Sequence, residues 1–164
     1  ITHIQQGAVL MMHSRLTWKD NVSVIPQHKV DQAIKSASTD STDRLVTMIA
    51  GKTASDYVLT GTITQFSNAF SIDARIYDIK NKQFLAFSDQ SKIIDEVIPK
   101  ISTMAARINK KVFNRTTVAY EELAKKEKQR LNQWRHENPE KMMPKIPAGE
   151  RGDKTPFWKV WEYL

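Results

Sequence analysis

The chain has 164 residues, 25 Lys plus Arg, 18 Asp plus Glu and no cysteine, for a formal net charge of +7. Zero Cys excludes disulfides, thiolate metal sites and cysteine nucleophiles. No run approaches the roughly 18 apolar residues of a membrane span, and the length suits one compact domain with an appendage.

Composition divides the chain near Arg115. Residues 1–115 hold 15 basic and 10 acidic side chains, and residues 116–164 hold 10 and 8. The second part also carries four of the six prolines and three of the four tryptophans. A body over 1–115 and a helical, Pro- and Trp-containing arm or connector over 116–164 are therefore expected. Starting at Ile1, the chain is expected to be one domain and its connector, cut at both ends, from which a leader could have been removed.

Ile4, Ala8, Met11, Met12, Arg15 and Leu16 recur at helical spacing and predict a helix ending at Leu16. Trp18–Asn21 supplies turn chemistry, and Val22, Val24 and Ile25 predict a short strand stopped by Pro26. Val30, Ala33 and Ile34 support a short helix. A polar loop over 36–42 leads to a helix through Leu45, Val46, Met48, Ile49 and Ala50, with Gly51 as its natural terminator. Asp56–Phe66 is rich in β-formers, and Ser67-Asn68 is a tight turn. Phe70, Ile72, Ala74 and Ile76 then alternate with Ser71, Asp73, Arg75 and Tyr77, a strand with one buried face. After a turn at Lys80–Lys82, Gln83–Ser88 completes an antiparallel meander. Ile94, Val97, Ile98, Ile101, Met104, Ala105, Ile108 and Val112 predict a long helix with Pro99 in its first turn and Asp95 or Ser91 as its cap. A second long helix, Val118–His136, has a thin apolar face and places acids before bases, as the helix dipole favours. The expected fold is an α/β (α+β) sandwich: a small mixed sheet made of the meander plus the Val22–Ile25 strand, covered by helices, then a long helix and an irregular arm. Val58, Leu59, Ile63, Ile72, Ile76, Ile98, Ile101 and Ile108 are its predicted core.

The element order resembles the N-terminal α/β domain of the TolB family. Asp56–Thr64 resembles that superfamily's "ADYVLxGSLT" strand, and Phe70–Asp78 its "SIDAKLVDV" strand. Asp89-Gln90-Ser91, Asp95–Ile101 and Val112–Arg115 resemble the "DQS…DEVIPRI…VFGR" signature of bacterial secreted proteins that join this domain to FG-GAP (VCBS) repeats. The resemblance spans roughly residues 3–115. It implies a protein that is periplasmic, outer-membrane-associated or extracellular in a Gram-negative bacterium. Those relatives carry an "AVLPF"-type strand before the first helix, so the resemblance also implies a sheet lacking one strand, open to one donated by a partner.

Chemistry is weakly marked. His3, His13, His28 and His136 show no metal-ligand spacing, and no phosphate-binding loop or nucleophile elbow is present. Asp73 and Asp78 fall on opposite faces of one strand, and Asp95-Glu96 reads as helix-terminal chemistry. No catalytic, cofactor or metal site is expected. The positive balance raises a nucleic-acid or polyanion-binding alternative, but Lys125, Lys126, Lys128 and Arg130 are interleaved with Glu121, Glu122 and Glu127 as on a solvated helix. Arg151-Gly152-Asp153 reads first as a turn. The candidate partner-binding residues are Trp134, Phe157, Trp158, Trp161 and Tyr163, because large aromatics are favoured interface anchors. That aromatic arm either folds back on the body, docks a partner or leads into a further domain. The expected function is a non-catalytic protein-interaction or assembly module, acting by strand addition at a sheet edge or through the arm.

Overall fold

The computed structural model describes residues 2–37 and 41–142. Two units are distinguished, Ile1–Ala124 and Lys125–Leu164. The first contains helices α1 (Thr2–Leu16), α2 (Gln27–Lys35), α3 (Thr42–Thr53) and α4 (Val97–Phe113), and strands β1 (Tyr57–Phe66), β2 (Ala69–Asp78) and β3 (Gln83–Ser91). Helix α5 (Val118–Glu137) runs from the first unit into the second. The fold is mixed α and β, with a three-stranded antiparallel sheet in the order β1-β2-β3.

The alternation read from the sequence sets the pleat of the sheet. Register pairs Leu59, Gly61 and Ile63 with Ile76, Ala74 and Ile72, and Ala74 and Ile72 with Phe87 and Asp89. These positions share one face because side chains alternate along a strand. On that face Ile63, Phe70, Ile72, Ala74, Ile76 and Phe87 are buried with Val97, Ile101, Met104, Ala105 and Ile108 of α4. The α4 positions follow three- and four-residue steps, so the helix presents one continuous apolar stripe. Ile4, Ala8, Met11 and Met12 of α1 pack against the same core, and Leu16 is buried in it.

The C-terminal ends of α1 and α4 are joined by polar bonds. The Asn109 amide donates to the carbonyls of Arg15 and Ala105, each at 3.0 Å, and Arg115 donates to the Thr17 carbonyl at 3.1 Å. Arg115 also lies 5.3 Å from the Trp18 ring centroid. Carbonyls at a helix end lack intrahelical partners, which is why donors from α4 and the residues just after it are effective there.

Four expectations need correction. Val22–Ile25 is not a strand: it makes a single bridge, Trp18 with Val22, so the sheet is antiparallel throughout rather than mixed. Trp18 and Val22 exchange backbone bonds of 2.9 and 2.8 Å around a turn in which Asp20 has φ 63, and this local closure uses the N–H and C=O that Val22 would bring to a sheet. Gly51 does not end α3; Ala54 takes the left-handed position at φ 50, and the amides of Ala54 and Ser55 bond to the Ala50 carbonyl. Neither Asp95 nor Ser91 caps α4, which is entered through a 3-10 turn at Ile94–Glu96. Ser91 instead bonds within the connection, to the Ile93 carbonyl and, at 3.3 Å, to the Glu96 carboxylate. Finally, Ile98 is 60% exposed. It follows Val97 by one residue, about 100° around the helix, and so leaves the buried stripe. Pro99 lies in the first turn of α4, as expected.

Candidate functional site

The second face of the sheet carries the partners of the same alternation: Thr60, Thr62 and Thr64, then Ser71, Asp73, Arg75 and Tyr77, then Phe84, Ala86, Ser88 and Gln90. Helix α3 covers one end, where Val46 and Ala50 bury Val58 beside Tyr77 and Ile79. Beyond that end Thr62, Asp73, Arg75 and Ser88 are exposed, and on β3 Phe84, opposite Tyr77, is exposed as well. An open depression of about 620 Å³ lies there, bordered by Thr42 at the start of α3 and floored by Thr60, Thr62, Asp73, Arg75 and Ser88.

The groups on this face are held in place. Ser71 donates to the Asp73 carboxylate at 2.9 Å. The Arg75 guanidinium stands 5.6 Å from the Phe84 ring centroid, and the Tyr77 and Phe84 rings are 5.7 Å apart. A ribbon of hydroxyls, one carboxylate, one guanidinium and a 56%-exposed phenylalanine is thus presented on a hydrogen-bonded sheet. Such a surface can offer hydrogen bonds and an aromatic anchor to another protein, the pairing favoured at interface centres.

Of the residues singled out from the sequence, Trp134 lies on α5 and is 40% exposed, close in sequence to the 47%-exposed Leu131. The Lys141 ammonium is 5.7 Å from its ring centroid. Phe157, Trp158, Trp161 and Tyr163 lie outside the described residues, as does Arg151-Gly152-Asp153. The four histidines are all exposed. Among the described residues no three His, Asp or Glu side chains stand where they could share a metal ion. Asp78 serves the β2–β3 turn: the backbone amide of Asn81, at 2.9 Å, and its side-chain amide, at 2.8 Å, hold the Asp78 carboxyl below its ordinary pKa. At the end of α4, Lys110 bonds to Thr116 at 3.0 Å, and the Lys111 ammonium lies 5.8 Å from the Phe87 ring centroid, so these cations have local partners.

Two polar groups were missed by sequence reasoning. Asp89 lies on the inner face of β3, its side chain 13% exposed, with Lys100 at 2.8 Å and Arg107 at 3.7 Å. The signal was available, since Leu85, Phe87 and Asp89 continue one alternating face into a charge. Asn109, 1% exposed, carried no such signal, because its role depends on the Arg15 carbonyl far away in the chain.

A family model described as FlgO protein matches residues 19–97, from the turn after α1 to the first residue of α4. The match includes the whole sheet and a little under half of the chain. No curated protein and no solved structure matches. FlgO is a flagellar-associated protein, which corrects the resemblance to the TolB N-terminal domain and to FG-GAP (VCBS) proteins. The strands that carried that resemblance, Asp56–Thr64 and Phe70–Asp78, lie inside the FlgO match. Alternating β-branched strands specify a fold that several functions share, and so discriminate poorly between families. The periplasmic assignment rested on the same resemblance and is not established. Among the described residues no helix is long and apolar enough to cross a membrane.

Proposed function

We propose that this chain is a non-catalytic assembly module of a flagellum-associated bacterial protein, engaging other flagellar components through the open face of its sheet and through Trp134 and the aromatic arm. The observation that carries the reading is a sheet buried by α1 and α4 on one face but, among the described residues, covered only at one end on the other, inside the segment similar to FlgO. The exposed histidines, and described carboxylates that lie apart on the surface or, like Asp89, are spent in an ion pair, support a contact surface rather than a reaction centre, which would gather such groups in a cavity. Placement on the envelope side of the flagellar apparatus is part of the proposal.

The test replaces the chromosomal copy with an Arg75→Glu/Phe84→Ala variant and scores flagellation and swimming, with protein level followed by immunoblot. Both side chains are exposed, so the variant is expected to accumulate normally while flagellar function is lost. Normal flagella and swimming in a strain lacking the protein altogether would refute the flagellar reading. Normal function in the double variant alone would remove the open face from it. Fractionation that recovers the protein only from the cytoplasm would overturn the envelope placement.

A further inference from the structure

The two outer strands of the sheet are built differently. Natural sheets blunt their edges with charges, prolines, bulges or inward-pointing ionic groups, because unpaired N–H and C=O rows invite another strand. Strand β3 has such a device in Asp89, turned inward and paired with Lys100 and Arg107. Strand β1, Tyr-Val-Leu-Thr-Gly-Thr-Ile-Thr-Gln-Phe, has no charge and no proline, and its register with β2 runs unbroken from Tyr57 to Phe66 without a bulge. Among the described residues nothing pairs with its other edge.

The phase of that edge follows from one bond. The Ile79 amide bonds to the Asp56 carbonyl at 3.0 Å, which makes this pair hydrogen-bonded and, two residues at a time, also the pairs of Val58, Thr60, Thr62 and Thr64 with β2. In an antiparallel ladder the alternate residues point their N–H and C=O the other way. Tyr57, Leu59, Gly61, Ile63 and Gln65 therefore present an uninterrupted row of donors and acceptors outward.

That row is nearly palindromic: Leu59-Thr60-Gly61-Thr62-Ile63 reads almost the same in both directions about Gly61. We infer that the free edge of β1 is a homodimer interface, at which two copies of this chain pair antiparallel about Gly61 into one six-stranded sheet. A two-fold axis there sets Leu59 against Ile63 of the second copy on the inner face, and Thr60 against Thr62 of the second copy on the open face. Val58 meets Thr64 and Tyr57 meets Gln65, so no charge opposes another anywhere along the strand. Aliphatic and Thr–Thr cross-strand pairs are favourable ones, and five hydrogen-bonded pairs add on the order of ten backbone bonds. Because the contact is isologous and the β3 edge is guarded, assembly closes at two copies instead of growing into a fibre. This goes beyond the flagellar reading and stands or falls separately from it, since it is tested on the isolated chain.

The test combines sedimentation equilibrium of the 164-residue chain with residue-resolved amide exchange. The wild-type protein is expected to sediment at twice its 18.9 kDa at micromolar concentration, with slow exchange at Leu59, Gly61 and Ile63 that becomes fast on dilution. Thr60→Lys/Thr62→Lys puts like charges opposite one another twice and is expected to weaken the dimer roughly thirtyfold. Thr60→Lys/Thr62→Glu puts opposite charges in the same register and is expected to keep it. A wild-type chain that is monomeric, whether those three amides exchange fast or slowly, would overturn the inference. So would a dimer that exchanges fast at Gly61, one that survives the double lysine change, or one that the Lys/Glu variant also loses while folded. The wild-type measurement alone decides the matter if a variant fails to fold, which fast exchange at the β2-bonded amides of Thr60 and Thr62 would reveal.

Discussion

Replacing Asn109 by aspartate changes two atoms' chemistry at nearly constant volume, in one of the most buried positions of the molecule. Asn109 is 1% exposed, and its amide nitrogen donates to the Arg15 and Ala105 carbonyls at 3.0 Å each, while its Oδ1 accepts from no protein group. In Asn109→Asp a carboxylate oxygen would face those two carbonyl oxygens, an arrangement of acceptors only. The folded state therefore favours the protonated acid, whose single O–H can restore one of the two bonds. The folded-state pKa is then raised above the unfolded value of about 3.9, so between the two values the native state binds more protons and stability falls as pH rises. If the proton is retained at pH 7, the loss relative to the unfolded chain is about 4 kcal/mol, from roughly three pH units at 1.36 kcal/mol each. Near pH 4 only the missing second hydrogen bond remains, about 1 kcal/mol. At roughly 3–5 °C per kcal/mol for a domain of this size, the gap in melting temperature between variant and wild type should widen by about 10–20 °C from pH 4 to pH 7. Thermal unfolding followed by circular dichroism at both pH values measures it, with Asn109→Ala as the control that has no proton to lose. A deficit equal at pH 4 and pH 7, or no deficit at pH 7, would refute the burial and bonding described for this amide.

Three further outcomes are expected. Gly61→Ala puts a Cβ 3.0 Å from the Asp73 carbonyl oxygen, a backbone atom that cannot swing aside; it should cost about 1–3 kcal/mol in urea unfolding, and a neutral result would contradict the Gly61–Ala74 register. Ile108→Ala, at a position with 0% exposure, should cost about 2–5 kcal/mol in the same assay, and less than 1 would mean that α4 does not form the centre of the core. Because the Asn81 amides hold the Asp78 carboxyl below its ordinary pKa, the stabilisation they bring is present above the ordinary carboxylate pKa and fades as pH falls through the depressed folded value. Carboxyl NMR titration should place Asp78 below an unperturbed aspartate, and Asn81→Ala should raise its midpoint; an unmoved midpoint would break the link.

Much of the fold is legible along the chain because its signals are local. Two-residue alternation over Phe70–Tyr77 and three- to four-residue steps over Val97–Ile108 each report one buried face without reference to any other element. The same logic placed Ile98 in the core and failed, since a single step around the helix decides between stripe and solvent. Val22–Ile25 failed for a different reason: β-branched residues favour extended backbone, but a strand exists only where a second strand accepts its bonds, and here Trp18 accepts those of Val22 alone. That this sheet face is largely open among the described residues could not be read from the sequence, because alternating polar positions look alike whether a helix covers them or not.

The sequence by itself determined the meander, the long helix α4 that packs on it, and which alternate positions turn inward, since these follow from the periods of the backbone. Only the tertiary structure decided that, among the described residues, α1 and α4 fill one face while α3 covers just one end of the other, and that Asn109 ties the ends of α1 and α4 together. It also decided that Asp89 guards one outer strand while the other has no strand paired to its outer edge among the described residues. Those arrangements depend on groups distant in sequence meeting in space, where satisfying a buried carbonyl or leaving an edge unpaired is settled by neighbours that no local pattern records.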